Sequence, residues 1–196
     1  MLAKYITHTM YPSMKEKDWN VLWSEIQAGN QDSLSKIFCC TYSQLFNYGY
    51  KIVQDEALIK DCIQELFLNI WHKRDRVSKA ISVKSYLISS LRRVIFRRLN
   101  KQRSSEKRNY EYNHEAFSEI YNIEQLLIHF ETENEKKVQL QEALLSLSNR
   151  QKEAVYLKFF NGLSNDEISD VMQVNKQSVY NHISKAIQKM QSFINV

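Results

Sequence analysis

The sequence predicts an all-α protein built as two small helical domains, and three observations carry that prediction. Only three glycines and one proline occur in 196 residues, too few for the tight turns on which hairpins, sandwiches and barrels depend. Apolar residues recur at helical spacing along most of the chain. Helix-start signatures, including two capping boxes, fall where those apolar stripes begin. A chain of 196 residues can bury one sizeable core or two small ones.

The elements follow in order. Residues 15–28 place Trp19, Leu22, Trp23 and Ile26 at i, i+3, i+4 and i+7, with Gly29 as C-cap. Residues 32–53 repeat apolar and aromatic side chains at Leu34, Phe38, Tyr42, Leu45, Phe46 and Tyr50. Asp55 then caps a third helix that runs to Trp71. On it Ile59, Cys62, Ile63, Leu66 and Ile70 look inward, while Asp61, Gln64, Glu65, Leu68 and His72 line the outside. An acidic face holding an exposed leucine suits a protein partner; the same spacing also describes an ordinary amphipathic surface. After a polar loop from His72 to Ile81, Ser82 caps a long helix reaching about Arg103, with Leu87, Leu91, Val94 and Ile95 as its buried stripe.

Charge marks the boundary between the domains. Residues 92–108 hold eight Lys/Arg against one Asp/Glu, a net +7, whereas residues 109–135 hold seven glutamates and neither Lys nor Arg, a net −7. Blocks of one sign repel themselves and resist compact packing. We therefore place domains at 15–104 and 136–196, joined by an acidic linker at 105–135. Phe117, Ile120, Tyr121, Ile123, Leu126, Leu127, Ile128 and Phe130 suit an amphipathic helix in the linker's second half. In the basic helix Arg93, Arg97 and Lys101 stand at i, i+4 and i+8, flanked by Arg92, Arg98 and Arg103. Positive charges crowded this closely repel one another within a Debye length of about 8 to 10 Å, and a phosphate backbone would relieve them.

The second domain begins where one helix ends near Leu147 and Ser148-Asn149-Arg150-Gln151 forms a capping box for the next. That helix runs to Phe160 and stops at Gly162. Ser164-Asn165-Asp166-Glu167 is a second capping box, opening a short helix to Met172, and Asn175 caps a last helix to Ile194. Residues 164–190 thus have the form of a helix-turn-helix. Val179, Ile183, Ala186, Ile187 and Met190 make one stripe of the last helix, facing Ile168, Val171 and Met172. Gln177, Tyr180, Asn181, Ser184 and Lys185 share the opposite stripe. Gln and Asn pair with adenine edges, Ser with several bases, and Lys176, Lys185 and Lys189 with phosphates or guanine. A plain helical pair with a solvated polar face is the competing reading.

Other function classes find little support. Cys39, Cys40 and Cys62 form neither a disulfide framework nor a CxxC pair, and no histidine stands at metal-ligand spacing with a cysteine or a second histidine. No phosphate loop, nucleophile elbow or paired catalytic carboxylates occur, so no enzyme activity, cofactor or metal is expected. With no run of 18 apolar residues and no leader pattern, a soluble, cytoplasmic protein is expected.

Taken together these residues resemble the sigma-70 family of bacterial RNA polymerase initiation factors, in the small extracytoplasmic-function (ECF) group that has domains two and four. The resemblance covers about residues 20–103 and 137–194. The family's polymerase-binding pattern D-x-x-Q-E-x-F-x-x-x-W is met by Asp61, Gln64, Glu65, Phe67 and Trp71. Its minus-10 helix is similar through Tyr86, Leu87, Leu91 and Arg92, with Arg93 and Arg97 standing where Asn and Asp are usual. Its domain-four pattern is met by Leu144, Leu147, Arg150, Gln151, Glu153, Val155, Leu157, Phe159, Phe160, Gly162, Leu163, Ser164, Glu167, Ile168, Ser178 and Val179, with Gln173 at the usual turn glycine.

The resemblance implies a set of roles. Asp61, Gln64, Glu65, Leu68 and Trp71 would bind core RNA polymerase, whose β′ clamp and β flap are the expected contacts. Arg74, Ser78, Lys79, Tyr86, Arg92, Arg93, Arg97 and Lys101 would hold minus-10 DNA, with Lys73 and Arg76 further candidates in the loop that receives a flipped base. Lys176, Gln177, Ser178, Tyr180, Asn181, Ser184 and Lys185 would read the minus-35 element. The acidic linker would stay off promoter DNA and lie in basic channels of the polymerase. An anti-sigma factor, commonly membrane-bound, is the other implied partner, and no small-molecule substrate is implied. The rival readings are a stand-alone helix-turn-helix regulator, which has no need of the 58–71 face, and a helical adaptor, which leaves the arginine row unexplained.

Overall fold

A computed structural model describes residues 16–76, 82–104 and 142–194. The loop candidates Ser78 and Lys79 and the acidic linker at 105–135 lie outside the described residues. Every regular element among the described residues is helical, and the chain divides into two compact units.

The first unit contains α1 (Glu16–Gln27), α2 (Gln31–Ile52), α3 (Glu56–His72), a 3-10 turn (Arg74–Arg76) and α4 (Val83–Ser104). Each start has a local cause. The Asn30 side chain accepts from the N–H groups of Asp32 (3.0 Å) and Ser33 (3.2 Å), Asp55 from Leu58 (3.0 Å), and Ser82 from Ser85 (3.3 Å). Such caps satisfy donors that the first helical turn leaves open. Between α1 and α2 the chain reverses through Gly29 at φ +88°, and the Asn30 N–H reaches back to the Glu25 carbonyl at 2.9 Å. Trp23, Ile26, Ile37, Leu45, Tyr48, Ile59, Ile63, Leu66, Ile70, Leu87, Leu91 and Ile95 make the core.

On α2 the buried row differs from the aromatic stripe read in the sequence. Ser33, Ile37, Thr41, Leu45, Tyr48 and Ile52 are buried, whereas Leu34, Phe38, Tyr42, Phe46 and Tyr50 are half-buried. Two apolar rows lie side by side here, and periodicity alone does not rank them. The four rings instead run along the helix, Tyr42–Phe46 and Phe46–Tyr50 stacked at 6.1 and 6.2 Å, with Phe38 edge-on to Phe67 at 5.0 Å. Gly49 fixes how closely the helices approach. A Cβ there would stand 3.0 Å from Ile59 and 3.4 Å from Ile95, so α2, α3 and α4 meet at this residue.

The second unit follows its sequence signals closely. Residues 142–145 are helical and are followed by α5 (Asn149–Phe159), α6 (Asn165–Met172) and α7 (Lys176–Ile194). Both capping boxes form. Ser148 Oγ accepts from Gln151 N–H at 3.4 Å while Gln151 Oε1 accepts from Ser148 N–H at 2.9 Å; for Ser164 and Glu167 the distances are 3.2 and 2.7 Å. Gly162 turns the chain after α5 at φ +69°. Leu144, Leu147, Ala154, Val155, Leu157, Leu163, Ile168, Val171, Met172, Val179 and Ala186 form the core, with Ile183, Ile187 and Met190 half-buried at its edge.

Candidate functional site

The turn of the second unit is set by Gln173. It adopts a left-handed conformation (φ 54°, ψ 46°) as the C-cap of α6, and the next residue returns its N–H to the Ser169 carbonyl at 3.1 Å. Asn175 then accepts the Ser178 N–H at 2.7 Å and starts α7. This short turn lays α7 across α5 and α6 and leaves one stripe of α7 facing solvent. Lys176, Gln177, Tyr180, Asn181, Ser184 and Lys185 are exposed, Tyr180 by 56%, and Ser178 is half-exposed. The expected readers therefore share one face.

Two of them are tied. The Gln177 amide donates to Asn181 Oδ1 at 3.2 Å, which leaves the Gln177 carbonyl as acceptor and the Asn181 NH2 as donor, the complement of an adenine edge. Lys176 pairs with Asp166 of α6 at 2.8 Å, a partner not read from the sequence, and this hydrogen bond raises its pKa above the usual lysine value. Lys189 bends back to donate to the Ser146 carbonyl, so it supports the fold rather than the exposed face. Half-buried His182 is held below the ordinary imidazole range by burial, then by the nearby Arg150 and Lys185 charges.

In the first unit α3 offers the expected outer face. Asp61, Gln64 and Leu68 are exposed, Leu68 by 50%, and Glu65 and Trp71 are half-exposed. Arg74 stacks its guanidinium 4.7 Å over the Trp71 ring and donates to the Trp71 carbonyl at 2.9 Å. His72 is hydrogen-bonded to the Leu68 carbonyl at 2.7 Å through Nδ1. Beneath the face, burial pushes the Cys62 thiol up to about 11, which leaves it protonated and inert at neutral pH.

The basic helix α4 is less uniform than its sequence. Arg92 is only 4% exposed, its guanidinium 4.6 Å over the Phe96 ring, so it leaves the outer row. Tyr86 is half-buried edge-on against Trp23 at 5.2 Å. Arg93 is exposed and hydrogen-bonded to its own helix at the Ser89 carbonyl (3.3 Å) and Ser90 Oγ (3.4 Å). Lys101 is exposed.

Arg97 and its neighbour Arg98 turn toward α3. Arg97 donates to Glu65 Oε1; Arg98 donates to Glu65 Oε2 from Nε (2.9 Å), with Nη2 in ion-pair contact with the same oxygen at 2.8 Å, and to Asp61 Oδ2 from Nη1 (3.3 Å). The Glu65 hydrogen bond holds the Arg98 pKa above its usual value. The crowded positive charge of the sequence is thus partly answered by two carboxylates more than 30 residues away, a pairing for which local sequence offers no signal.

Two family models match the chain: sigma-70 region 2 over residues 38–105 and sigma-70 region 4 over residues 137–190. The first matched stretch contains α3 and α4, the second the helix-turn-helix. The chain belongs to the sigma-70 family, in its ECF group. Among similar proteins are the ECF RNA polymerase sigma factor SigK of Mycobacterium tuberculosis, 16% identical over 94% of this chain and 98% of that protein, and SigK of Mycobacterium ulcerans, 17% identical over 92% and 96%. Similar folds occur in CnrH, solved with the cytosolic domain of CnrY (TM-score 0.56, 18% identity, 90% of this chain and 96% of that one). RpoE of Bartonella quintana, solved with the anti-sigma factor NepR, is another (TM-score 0.53, 17% identity, 83% and 96%).

Proposed function

We propose that this sigma factor grips core RNA polymerase through the outer face of α3, holds the minus-10 region with α4 and the loop before it, and reads the minus-35 element with α7. The reading assigns 15–104 to the first two roles, 136–196 to the last and 105–135 to an acidic tether, all in the cytoplasm. One observation carries it: a single chain presents an acidic face with a half-exposed leucine on α3 and, in a separate unit, a helix-turn-helix whose reading stripe is open to solvent. A DNA-binding module acting alone needs only the second. DNA opening on this reading calls for no bond chemistry, since unstacking a base costs a few kcal/mol and exposed cations and rings supply that by contact.

The test is transcription from candidate promoters by core RNA polymerase with and without the purified chain. Promoter-specific transcripts are expected only with it. Leu68→Arg, which leaves the ion pairs between α3 and α4 untouched, should weaken capture of core polymerase tenfold or more, as loss of a buried apolar anchor does at about 2 kcal/mol. Asn181→Ala should leave capture intact and change promoter choice. Tight promoter binding by the free chain with indifference to polymerase would overturn the reading in favour of a stand-alone regulator. A further protein partner on this reading is an anti-sigma factor, as for RpoE.

A further inference from the structure

The pairing between α3 and α4 has an unusual stoichiometry. One carboxylate, Glu65, lies between two adjacent guanidiniums, with each of its oxygens bonded to a different arginine, while Asp61 takes only the outer edge of Arg98. Two guanidiniums converging on one small oxyanion make a seat that suits phosphate as well as carboxylate, because each of these anions offers two negatively charged oxygens that accept N–H bonds. The seat is at the surface: Arg97 keeps 61% of its side chain exposed and Arg98 34%. It also continues the row that starts at Arg93 and ends at Lys101 on α4.

We propose that Arg97 and Arg98 form a seat for a phosphate of promoter DNA, which Glu65 fills in the free chain as an internal stand-in. The proposal rests on the reading above in two respects, that the α3 face meets a protein partner and that α4 meets promoter DNA. A basic partner surface that draws Glu65 and Asp61 to itself empties the seat, and a phosphate that enters it releases the two carboxylates. By linkage the two events favour one another to the same degree. The chain then holds DNA more weakly before it meets its partner than after, with no large movement of any helix. Exposed ion pairs are individually weak, so the device grades affinity rather than switching it fully.

The test needs no polymerase. The full chain is titrated against a fluorescent fork-junction DNA across a salt series, as wild type, Glu65→Gln, Asp61→Asn and Glu65→Gln combined with Arg97→Ala and Arg98→Ala; Glu56→Gln serves as a control that removes the same charge elsewhere on α3. Glu65→Gln should tighten binding about two- to fivefold and steepen the dependence of log K on log salt by about one to two, as one or two phosphates are added. Asp61→Asn should give a smaller gain through Arg98, and the triple variant should lose the gain. Unchanged affinity and slope in Glu65→Gln, a gain that survives loss of both arginines, an equal gain in Glu56→Gln, or no measurable binding even with Glu65 neutralised would each overturn the seat. Failure of the polymerase reading would appear separately, as a wild-type chain that neither captures core polymerase nor directs transcription, while the DNA titration stays readable.

Discussion

Both units carry a helix with a strongly polar outer face, and the two faces are engaged in different ways. On α7 the exposed stripe bonds mainly within itself and to the helix beside it, through Gln177 with Asn181 and Lys176 with Asp166. On α4 the charged row is divided: Arg92 lies under the surface over Phe96, Arg97 and Arg98 are held by α3, and Arg93 folds onto its own helix. The difference follows from distance along the chain. The helix-turn-helix is assembled from neighbours in sequence, so its polar groups find local partners. α3 and α4 pack side by side, so acidic and basic faces that look independent in the sequence meet.

That contrast can be broken first at the cores. Leu157 is fully buried, and Leu157→Ala should cost the unit that holds the helix-turn-helix about 2 to 5 kcal/mol. In chemical denaturation the α1–α4 transition should stay in place; a loss of both transitions together would show that the units do not fold separately. Gly49→Leu is the converse test. It forces a side chain against Ile59 and Ile95 and should destabilise the α1–α4 transition alone by about 1 to 3 kcal/mol.

Smaller effects sharpen the comparison. Gln173→Gly removes the strain of a left-handed residue with a side chain and should raise the stability of the helix-turn-helix by about 1 kcal/mol, read as a higher thermal midpoint. The smallest effect is that of His182. Its folded pKa lies below the ordinary 6.5, so the unfolded chain binds the proton more readily. The stabilisation is complete above about pH 6.5 and falls away as pH drops through the lowered folded value. Acid should therefore weaken the helix-turn-helix transition, and His182→Gln should flatten that dependence between mildly acid and neutral pH.

Much of this architecture was legible in the sequence because it is locally encoded. Asp55, Ser82, Ser148, Ser164 and Asn175 cap helices at the residues expected, since a cap depends on a side chain and the N–H groups two or three residues on. The inward set of α3, Ile59, Cys62, Ile63, Leu66 and Ile70, is buried as its spacing foretold. On α2 the spacing failed, because Ile37 and Tyr48 compete with an equally apolar aromatic row and only the packing of α3 and α4 decides between them. The union of Glu65 with Arg97 and Arg98 was not readable at all, since it arises from the crossing of two helices and not from either alone.

The bond between Gln177 and Asn181 bears on how a promoter preference changes over time. Each amide orients the other, so replacing Asn181 also frees Gln177 to swing, and the loss spreads to the base pair that Gln177 faces. If α7 reads DNA through this stripe, its two neighbouring letters are inherited as a pair, and a single substitution edits both.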